Sequence, residues 1–256
     1  FDVLILPYIR KILLLNKFCN TMKPICIIPA RRGSKGIPNK NITKILGVPL
    51  IGHVIQNIRN SKVFSHVIVS TEDKSIAKIA KKYGAEVPFM RPKYLATSNA
   101  TMDDVLLHAT KKLLELNFNF DTFVWRDATT PFITIQDIKK SIQLLKKKKC
   151  LAVCGVYEQH LNPYFNMVEK TKSGFLQLSK PLKTRPRSRQ ESPIVYQLNG
   201  LYVYDTKKFL KIKKTDFSKC IPHEISVETG LMIDIPFELF IAKSMFEKNY
   251  KIISRN

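Results

Sequence analysis

The chain has 256 residues, of which 45% are hydrophobic and 10% aromatic, so it is long and apolar enough to form one globular domain with a substantial core. Its formal charge of +23 favours anionic partners such as nucleotides, acidic sugars, phosphates or nucleic acids, although much of that charge is lysine in predicted helices and indicates a generally basic surface. The five cysteines, an odd count, argue against a disulfide-stabilised secreted scaffold. The cysteines and histidines show no metal-ligand spacing, and no apolar run is long enough to cross a bilayer.

Residues 1–21 are predicted to be an extension outside the domain. Their apolar run is interrupted by a proline and by basic residues, and no small-residue cleavage site follows, so a signal peptide is not expected. The domain is predicted to begin at Met22, directly before the first strand, and to continue to residue 256.

The first strand leads into a loop with the features of an anion site. Residues 25–28 form a short apolar run, as in a buried strand, and the segment that follows to Asn41 contains two glycines and four cations (Arg31, Arg32, Lys35 and Lys40). Backbone N–H groups freed by glycine can face a phosphate, and Lys and Arg can neutralise it. Neither the Walker A pattern nor GxGxxG is present.

The wording of this loop, PAR-x-GSKGIPNKN, resembles the signature of the acylneuraminate cytidylyltransferases, the CMP-sialic acid synthetase family. The resemblance implies an enzyme that couples CTP to a 2-keto sugar acid and releases pyrophosphate. It assigns nucleotide binding to the loop residues Arg31, Gly33, Ser34, Lys35, Lys40 and Asn41. Arg31, Lys35 and Lys40 would stabilise charge on the leaving pyrophosphate, and Arg31 and Lys40 count as catalytic. The alternative is a solvated basic turn.

Helical spacing over residues 49–60, an apolar strand at 66–70 and a helix at 73–83 come next. This alternation predicts an α/β fold with a doubly wound, mostly parallel sheet, and the resemblance specifies the nucleotide-diphospho-sugar transferase type with an inserted dimerisation arm. Ligands of such sheets bind at the carboxyl ends of the strands, where the signature loop falls.

Thr101 and Asp104 form a predicted capping box at the start of a helix over residues 102–116. The resemblance places Arg91 and the turn around Ala100 and Thr101 at the cytosine and ribose. An ordinary helix cap and a surface arginine are the alternative.

A core strand over residues 121–128 ends in ATTPF, where the family usually reads QPTSP, so that Asp127 replaces the glutamine. The related CMP-Kdo synthetases carry a magnesium-binding aspartate at the matching strand end. A carboxylate beside a triphosphate would be repelled unless a cation lay between them. The resemblance therefore implies that Asp127 binds the metal and that Asp127 and Thr129 belong to the sugar site. A capping or loop aspartate is the alternative.

After a helix over residues 135–149 and a strand over 151–157, the pattern loosens between residues 158 and 195. A hairpin with its turn near residues 172–174 is predicted, followed by an irregular basic stretch. The resemblance makes this part a dimerisation arm that helps to close the partner's sugar site, with Arg189 and Gln190 as sugar-binding residues. Alone, the stretch is equally compatible with an anion-binding tail.

The last strand and the closing motif complete the predicted site. A strand over residues 196–205 contains Asn199, a candidate sugar donor by resemblance or else a bulge or turn residue. The stretch EISVETGLMIDIPFELFIAK resembles the family's closing S-x-DID element, in which Met232 replaces the first aspartate. Asp234 would be the principal metal ligand, directly before a helix over residues 236–248; an N-cap aspartate is the alternative.

Together these features predict a cytidylyltransferase in which Mg²⁺, held by Asp234 and Asp127, assists in-line attack of a sugar hydroxyl on the α-phosphorus of CTP. The expected ligands are CTP and an acidic keto-sugar, the expected assembly is a homodimer and the expected location is the cytoplasm, without nucleic acid or a membrane as partner. The departures from the family pattern leave the sugar open among sialic, legionaminic, pseudaminic and 8-amino-octulosonic acids. A sugar-1-phosphate nucleotidyltransferase and a basic nucleic-acid-binding protein are the competing functions.

Overall fold

The computed structural model describes residues 22–34 and 36–248. Their centre is a six-stranded sheet with the strand order β10-β6-β9-β5-β1-β4. Only β9 runs against the other five strands, so the sheet is mostly parallel, as the sequence predicts. The strands of this sheet are β1 (Ile25–Pro29), β4 (Val67–Ser70), β5 (Thr122–Arg126), β6 (Ala152–Glu158), β9 (Tyr196–Asp205) and β10 (Cys220–Glu224).

Helices cover both faces of the sheet. One face packs against α1 (Leu50–Asn60), α2 (Lys74–Lys82) and α4 (Ile135–Lys148). The other face packs against α3 (Met102–Glu115) and α5 (Thr206–Ile212). Because both faces are covered, the central strands are apolar without alternation, and β1 reads ICIIP with its first four residues buried.

The last helix, α6 (Pro236–Glu247), lies apart from these two layers and packs beneath the signature loop. Its Ala242 joins Ile37 of the loop, Leu50 of α1 and Ile233 in a small buried cluster. Two short hairpins accompany the main sheet. The first consists of β2 (Lys44–Ile45) and β3 (Val48–Pro49), and the second of β7 (Val168–Lys170) and β8 (Leu176–Leu178).

The segment between β6 and β9 leaves the main sheet at its ligand edge and returns there. It contains the predicted hairpin, β7 and β8, with Gly174 in the turn at a φ of 90°. Its large apolar side chains are turned to solvent, and Phe175 and Leu176 are 76% and 71% exposed. We call residues 159–195 the arm.

Besides the short β2–β3 hairpin, two elements lie where the sequence predicts neither a helix nor a strand, namely α5 and the edge strand β10. The first is a seven-residue, lysine-rich helix, and the second contains Pro222 and polar residues, so neither has a strong periodic pattern. The predicted 1–21 extension lies outside the described residues. No helix in the described part of the chain is long and apolar enough to cross a membrane.

Candidate active site

A cleft of about 490 Å³ opens at the carboxyl ends of β1 and β5. Its walls come from the signature loop, from the turn before α3, from the end of β5 and from the segment before α6. The predicted site residues among its lining are Arg31, Ser34, Lys40, Asn41, Arg91, Ala100, Thr101, Asp127, Thr129 and Asp234. Residues almost 200 positions apart in the sequence therefore meet in one cavity, at the edge where parallel sheets bind ligands.

The two ends of the domain meet in an ion pair. The ammonium nitrogen of Lys40 lies 2.5 Å from Oδ1 of Asp234. The Lys40 side chain is 12% exposed and that of Asp234 is 54% exposed, so the carboxylate remains accessible from the cleft. A cation and a carboxylate are thus both available to a nucleotide that enters here.

The signature loop is held in shape by side chains that bond to its backbone. The Asn41 side-chain amide, itself buried, donates to the carbonyl of Arg31 at 2.9 Å. The Arg31 guanidinium donates to the carbonyl of Thr97 at 2.8 Å and so joins the loop to the opposite wall. Lys35, the remaining predicted cation of this loop, lies outside the described residues.

Gly36 allows the closest approach between the loop and the Asp234 segment. A Cβ atom at this position would lie 2.1 Å from the backbone carbonyl oxygen of Asp234, a distance that two such atoms cannot adopt. Gly33, by contrast, is not part of the lining, and a Cβ atom there would meet none of the described residues within 4 Å.

Asp127 lies directly after β5 and is half-buried in the floor of the cleft. Its Oδ1 accepts a hydrogen bond of 2.9 Å from the indole N–H of Trp125. Burial raises the pKa of the Asp127 carboxyl, the nearby charges of Arg126 and Lys40 oppose that effect, and the charge of Asp234 adds to it. The two acids therefore lie close enough to repel each other, which is the condition that a bound cation relieves.

Asp234 does not cap the helix that follows it, so the N-cap alternative is wrong. Ile235 occupies the N-cap position of α6. The carboxylate of Glu238 accepts the backbone N–H groups of Asp234 and Ile235, at 2.6 and 3.0 Å. The Asp234 side chain is thereby left to face Lys40 and the cleft.

The opposite wall is built around Arg91 and the predicted capping box. Arg91 is 5% exposed, and its guanidinium donates to the carbonyl of Ser70. Burial lowers the pKa of Arg91 to about 10. Thr101 caps α3 as predicted, accepting from the N–H of Asp104 at 3.1 Å while the Asp104 carboxylate accepts the N–H of Thr101 at 3.1 Å. Arg91 is thus a buried part of the wall rather than a surface arginine.

The family model of cytidylyltransferases matches residues 25–219, which include the signature loop and the sheet. The chain belongs to the cytidylyltransferase family. The enzyme is 33% identical over 189 residues to the pseudaminic acid cytidylyltransferase of Campylobacter jejuni, and the aligned part covers 73% of this chain and 80% of the relative. It is 35% identical over 188 residues to the CMP-N,N'-diacetyllegionaminic acid synthase of the same species, covering 70% and 76%.

A solved structure of CMP:2-keto-3-deoxy-manno-octonic acid synthetase complexed with CTP shares the fold of this cytidylyltransferase, with a TM-score of 0.67 at 18% identity over 89% of this chain and 99% of that chain. The predicted family, the predicted type of α/β fold and the prediction of a cytidylyltransferase enzyme are confirmed.

Three predicted sugar-binding residues of the cytidylyltransferase lie outside the cleft lining. Arg189 and Gln190 are exposed on the arm. Asn199 is 1% exposed at a bulge of β9, where its Oδ1 accepts from the N–H of Leu201 at 3.0 Å and its Nδ2 has no partner among the described residues. The bulge alternative therefore describes its local geometry.

The cleft of the cytidylyltransferase is also lined by residues that were not predicted from the sequence, among them Gly36, Thr97, Ser98 and Trp125. Trp125 is two positions before Asp127, and two residues that far apart on a strand point to the same side. That spacing was available in the sequence. The contributions of Thr97 and Ser98 depend on how the loop before α3 folds back, which no periodic pattern encodes.

The donor set of the cleft fits a hard divalent cation. Two carboxylates, Asp127 and Asp234, face a cavity with room for phosphate oxygens, and Mg²⁺ is commonly held by one or two carboxylates together with substrate phosphates. Among the described residues there is no group of three or more His, Cys, Asp or Glu side chains that could hold a metal ion without such help. Asp127 and Asp234 are therefore a pair of donors of the kind that Mg²⁺ uses together with phosphate oxygens.

Proposed function

We propose that this cytidylyltransferase couples CTP to a nonulosonic or related 2-keto-3-deoxy sugar acid, giving the CMP-sugar and pyrophosphate. The observation that carries the proposal is the meeting of Lys40, Asp234 and Asp127 in one cleft at the carboxyl ends of β1 and β5. The names of its relatives, which refer to pseudaminic and legionaminic acid, support the class of sugar.

The signature loop would bind the triphosphate. Arg31, Ser34 and Lys40 line the cleft beside it, and the Asn41–Arg31 hydrogen bond holds the loop backbone in place before any ligand arrives. Positioning and charge neutralisation account for most of the catalysis in phosphoryl and nucleotidyl transfer. Arg31 and Lys40 would therefore stabilise negative charge as the pyrophosphate leaves, and the turn at Ala100 and Thr101, with Arg91 behind it, would hold the nucleoside.

Asp234 and Asp127 would hold Mg²⁺. When bound, the ion supplies positive charge that offsets the charge of the triphosphate and activates the reacting phosphate. Asp127 also accepts the Trp125 indole N–H through one carboxylate oxygen, which fixes the orientation of the group and leaves the other oxygen free. The attacking sugar hydroxyl would give its proton to solvent or to Asp127.

The sugar would be bound with the help of a second copy of the chain. Arg189 and Gln190 are exposed on the arm and are not part of the lining of their own cleft, while large apolar side chains on the same arm face solvent. A homodimer in which each arm reaches the partner's cleft would bury this apolar surface and bring the Arg189 guanidinium to the sugar carboxylate. We expect the enzyme to act in the cytoplasm, because its nucleotide substrate CTP is available there.

The decisive experiment measures pyrophosphate release by the purified chain with Mg²⁺, one nucleotide (CTP, UTP or dTTP) and one sugar from a panel of keto-acid sugars and sugar 1-phosphates. We expect turnover only with CTP and a 2-keto-3-deoxy acid, with the CMP-sugar confirmed by mass spectrometry. Turnover with a sugar 1-phosphate instead would identify a different nucleotidyltransferase. Retardation of a labelled duplex at about 100 mM salt would revive nucleic-acid binding.

The variant Asp234→Ala tests the assignment of the principal carboxylate. We expect CMP-sugar formation to fall by roughly 100-fold or more, because the charge that offsets the triphosphate can no longer be held in place. The matched control is Glu115→Ala, which removes an exposed acid far from the cleft and should leave turnover unchanged. Circular dichroism and thermal unfolding establish that the fold persists. Turnover by Asp234→Ala at the wild-type rate would refute the assignment.

A further inference from the structure

A buried arginine lies beneath the acid pair. Arg126, the last residue of β5, is 1% exposed, and no carboxylate forms an ion pair with it in the described part of the chain. Its guanidinium bonds instead to the first and the last of the four residues that follow. Nη1 donates to the Thr130 hydroxyl and, at 3.1 Å, to the carbonyl of Asp127, while Nη2 donates to the carbonyl of Thr130. We call residues 127–130 the acid loop.

The acid loop is also bonded to two other parts of the site. The N–H of Asp127 donates to the carbonyl of Gly200 in β9 at 2.9 Å, and a Cβ atom on Gly200 would lie 2.5 Å from Cβ of Asp127. The carbonyl of Thr129 accepts the N–H of Ile233 at 2.9 Å, and Ile233 directly precedes Asp234. The position of one acid is therefore mechanically linked to the position of the other.

The stability of the fold does not explain why an arginine lies here. Its Nε is buried, and none of the described residues accepts a hydrogen bond from it. A buried guanidinium with an unsatisfied donor is costly, and an apolar side chain of similar length would avoid that cost.

We propose that Arg126 is a positioning residue for the metal site. By holding the acid loop through Thr130, it keeps the Asp127 carboxylate at the position relative to Asp234 at which the two can bind one divalent cation. This inference rests on the proposed function, since it concerns the cation that assists CTP turnover. Arg126 touches neither the cleft nor its contents and acts only through the loop.

A purely structural role makes a different prediction from a positioning role. If Arg126 only stabilised the fold, its loss would lower the unfolding temperature. The affinities for metal and for nucleotide would then either both fall or both stay unchanged. If it positions Asp127, its loss should weaken the metal site selectively, because the residues proposed to bind the triphosphate, Arg31 and Lys40, are not bonded to the acid loop.

The most informative variant is Thr130→Val, which keeps the shape of the side chain and removes the hydroxyl that accepts from Arg126. We expect the affinity of the enzyme–CTP complex for Mn²⁺, measured by electron paramagnetic resonance without sugar, to fall about 10- to 100-fold, as is typical for partners of metal ligands. The KM for CTP at saturating metal should stay within about twofold of the wild-type value. Arg126→Lys, which retains the charge, should lose less Mn²⁺ affinity than Arg126→Met.

The matched control is Thr110→Val, because Thr110 is a fully buried threonine of α3 whose hydroxyl has no hydrogen-bond partner in the part of the chain that the structure describes. It should bind Mn²⁺ as the wild type does. The inference is overturned if Thr130→Val retains wild-type Mn²⁺ affinity, or if it loses Mn²⁺ and CTP by the same factor. Should Arg126→Met not fold, Thr130→Val decides. A wild-type enzyme that turns over CTP without any divalent cation would overturn the proposed metal site itself, a separate and recognisable result.

Discussion

Lys40 has two uses for a single ammonium group. In the structure it pairs with Asp234 at 2.5 Å, whereas the proposed function assigns the same ammonium to the triphosphate. The two uses compete, because a lysine drawn towards the triphosphate lies farther from Asp234, and a divalent cation that enters with the nucleotide is attracted to the same carboxylate. Nucleotide binding should therefore draw Lys40 away and leave Asp234 to the cation that arrives with the phosphates.

The variant Lys40→Met tests this exchange. In the absence of nucleotide we expect it to bind Mn²⁺ about five- to tenfold more tightly than the wild type, because the charge that competes for Asp234 is gone. Its CMP-sugar formation should nevertheless fall by roughly 100-fold, because the triphosphate loses a cation. Calorimetry with Mn²⁺ alone and a pyrophosphate-release assay measure the two effects.

The control for this experiment is Lys44→Met, which removes an exposed lysine of the neighbouring hairpin and should change neither quantity. If Lys40→Met bound Mn²⁺ no better than the wild type, the idea that lysine and metal compete for one carboxylate would be wrong.

At the scale of elements, the site depends on the fit between the signature loop and the segment that precedes α6. Gly36 lies against the carbonyl of Asp234, and Ile37 shares a buried cluster with Ile233. A side chain at position 36 has no space, so the two segments would have to separate.

The variant Gly36→Ala should therefore lower the free energy of unfolding by about 1–3 kcal/mol, the usual cost of overpacking. Denaturant unfolding measures it. Gly33→Ala is the matched control in the same loop, because a Cβ atom there meets none of the described residues within 4 Å, and its stability should equal that of the wild type or exceed it slightly. Equal stability of the two variants would show that the loop does not press against the Asp234 segment.

Another link between elements joins α4 to the edge strand β10. The ring Nε2 of His223 lies 3.2 Å from Oδ1 of Asp137, and the Thr134 hydroxyl donates to the other oxygen of that carboxylate. Burial acts to raise the pKa of Asp137, but the hydrogen bonds from His223 and Thr134 outweigh it, and the pKa lies below its usual value.

Because the folded state lowers this pKa, Asp137 stabilises the fold above its unfolded pKa of about 3.9, and the contribution is lost as the pH falls through the folded pKa. We expect Asp137→Asn to be less stable than the wild type at pH 7 by about 1 kcal/mol, and this difference to shrink towards zero at pH 3. Denaturant unfolding at the two pH values measures it, with the exposed Asp121→Asn as control. A difference that stayed constant with pH would contradict the argument.

These elements also show what the sequence can and cannot predict. The buried strands were predictable because they are short unbroken apolar runs, as in ICIIP, and the long helices because their apolar residues recur at helical spacing, as in α1. The strand β10, with Pro222 in its middle, forms because β6 offers it a parallel partner, and no local pattern reveals that. Lys40 and Asp234 were found through their motifs. The bonds from Arg126 to the acid loop, and from the N–H of Asp234 to the Glu238 carboxylate, span at most four residues, but no periodic pattern encodes them and they were not predicted.

On the scale of the whole molecule, the arm is the part that a single chain leaves incomplete. It exposes Phe175 and Leu176, and the described chain offers them no apolar surface to pack on. Apolar side chains so fully exposed on one hairpin indicate a partner surface. The proposed homodimer supplies it.

We expect the double variant Phe175→Ser and Leu176→Ser to shift the protein from dimer to monomer in size-exclusion chromatography with light scattering. CTP binding should persist, since the cleft is intact within one chain, while the KM for the sugar acid should rise about tenfold or more, because Arg189 no longer reaches a partner. Lys172→Ser, in the same turn, is the control. A wild-type protein that is monomeric at micromolar concentration would contradict the prediction.

The reversed direction of β9 has a further consequence for how this enzyme can diversify. Because β6 ends and β9 begins at the same edge, the 37 intervening residues form a closed excursion whose base is fixed and whose length is free. Such an excursion can be lengthened, shortened or exchanged without altering the register of any core strand. Replacing residues 159–195 by the corresponding segment of a relative that uses another sugar should therefore transfer the preference for that sugar. The preference for CTP should stay the same, because the residues of the cleft are unchanged.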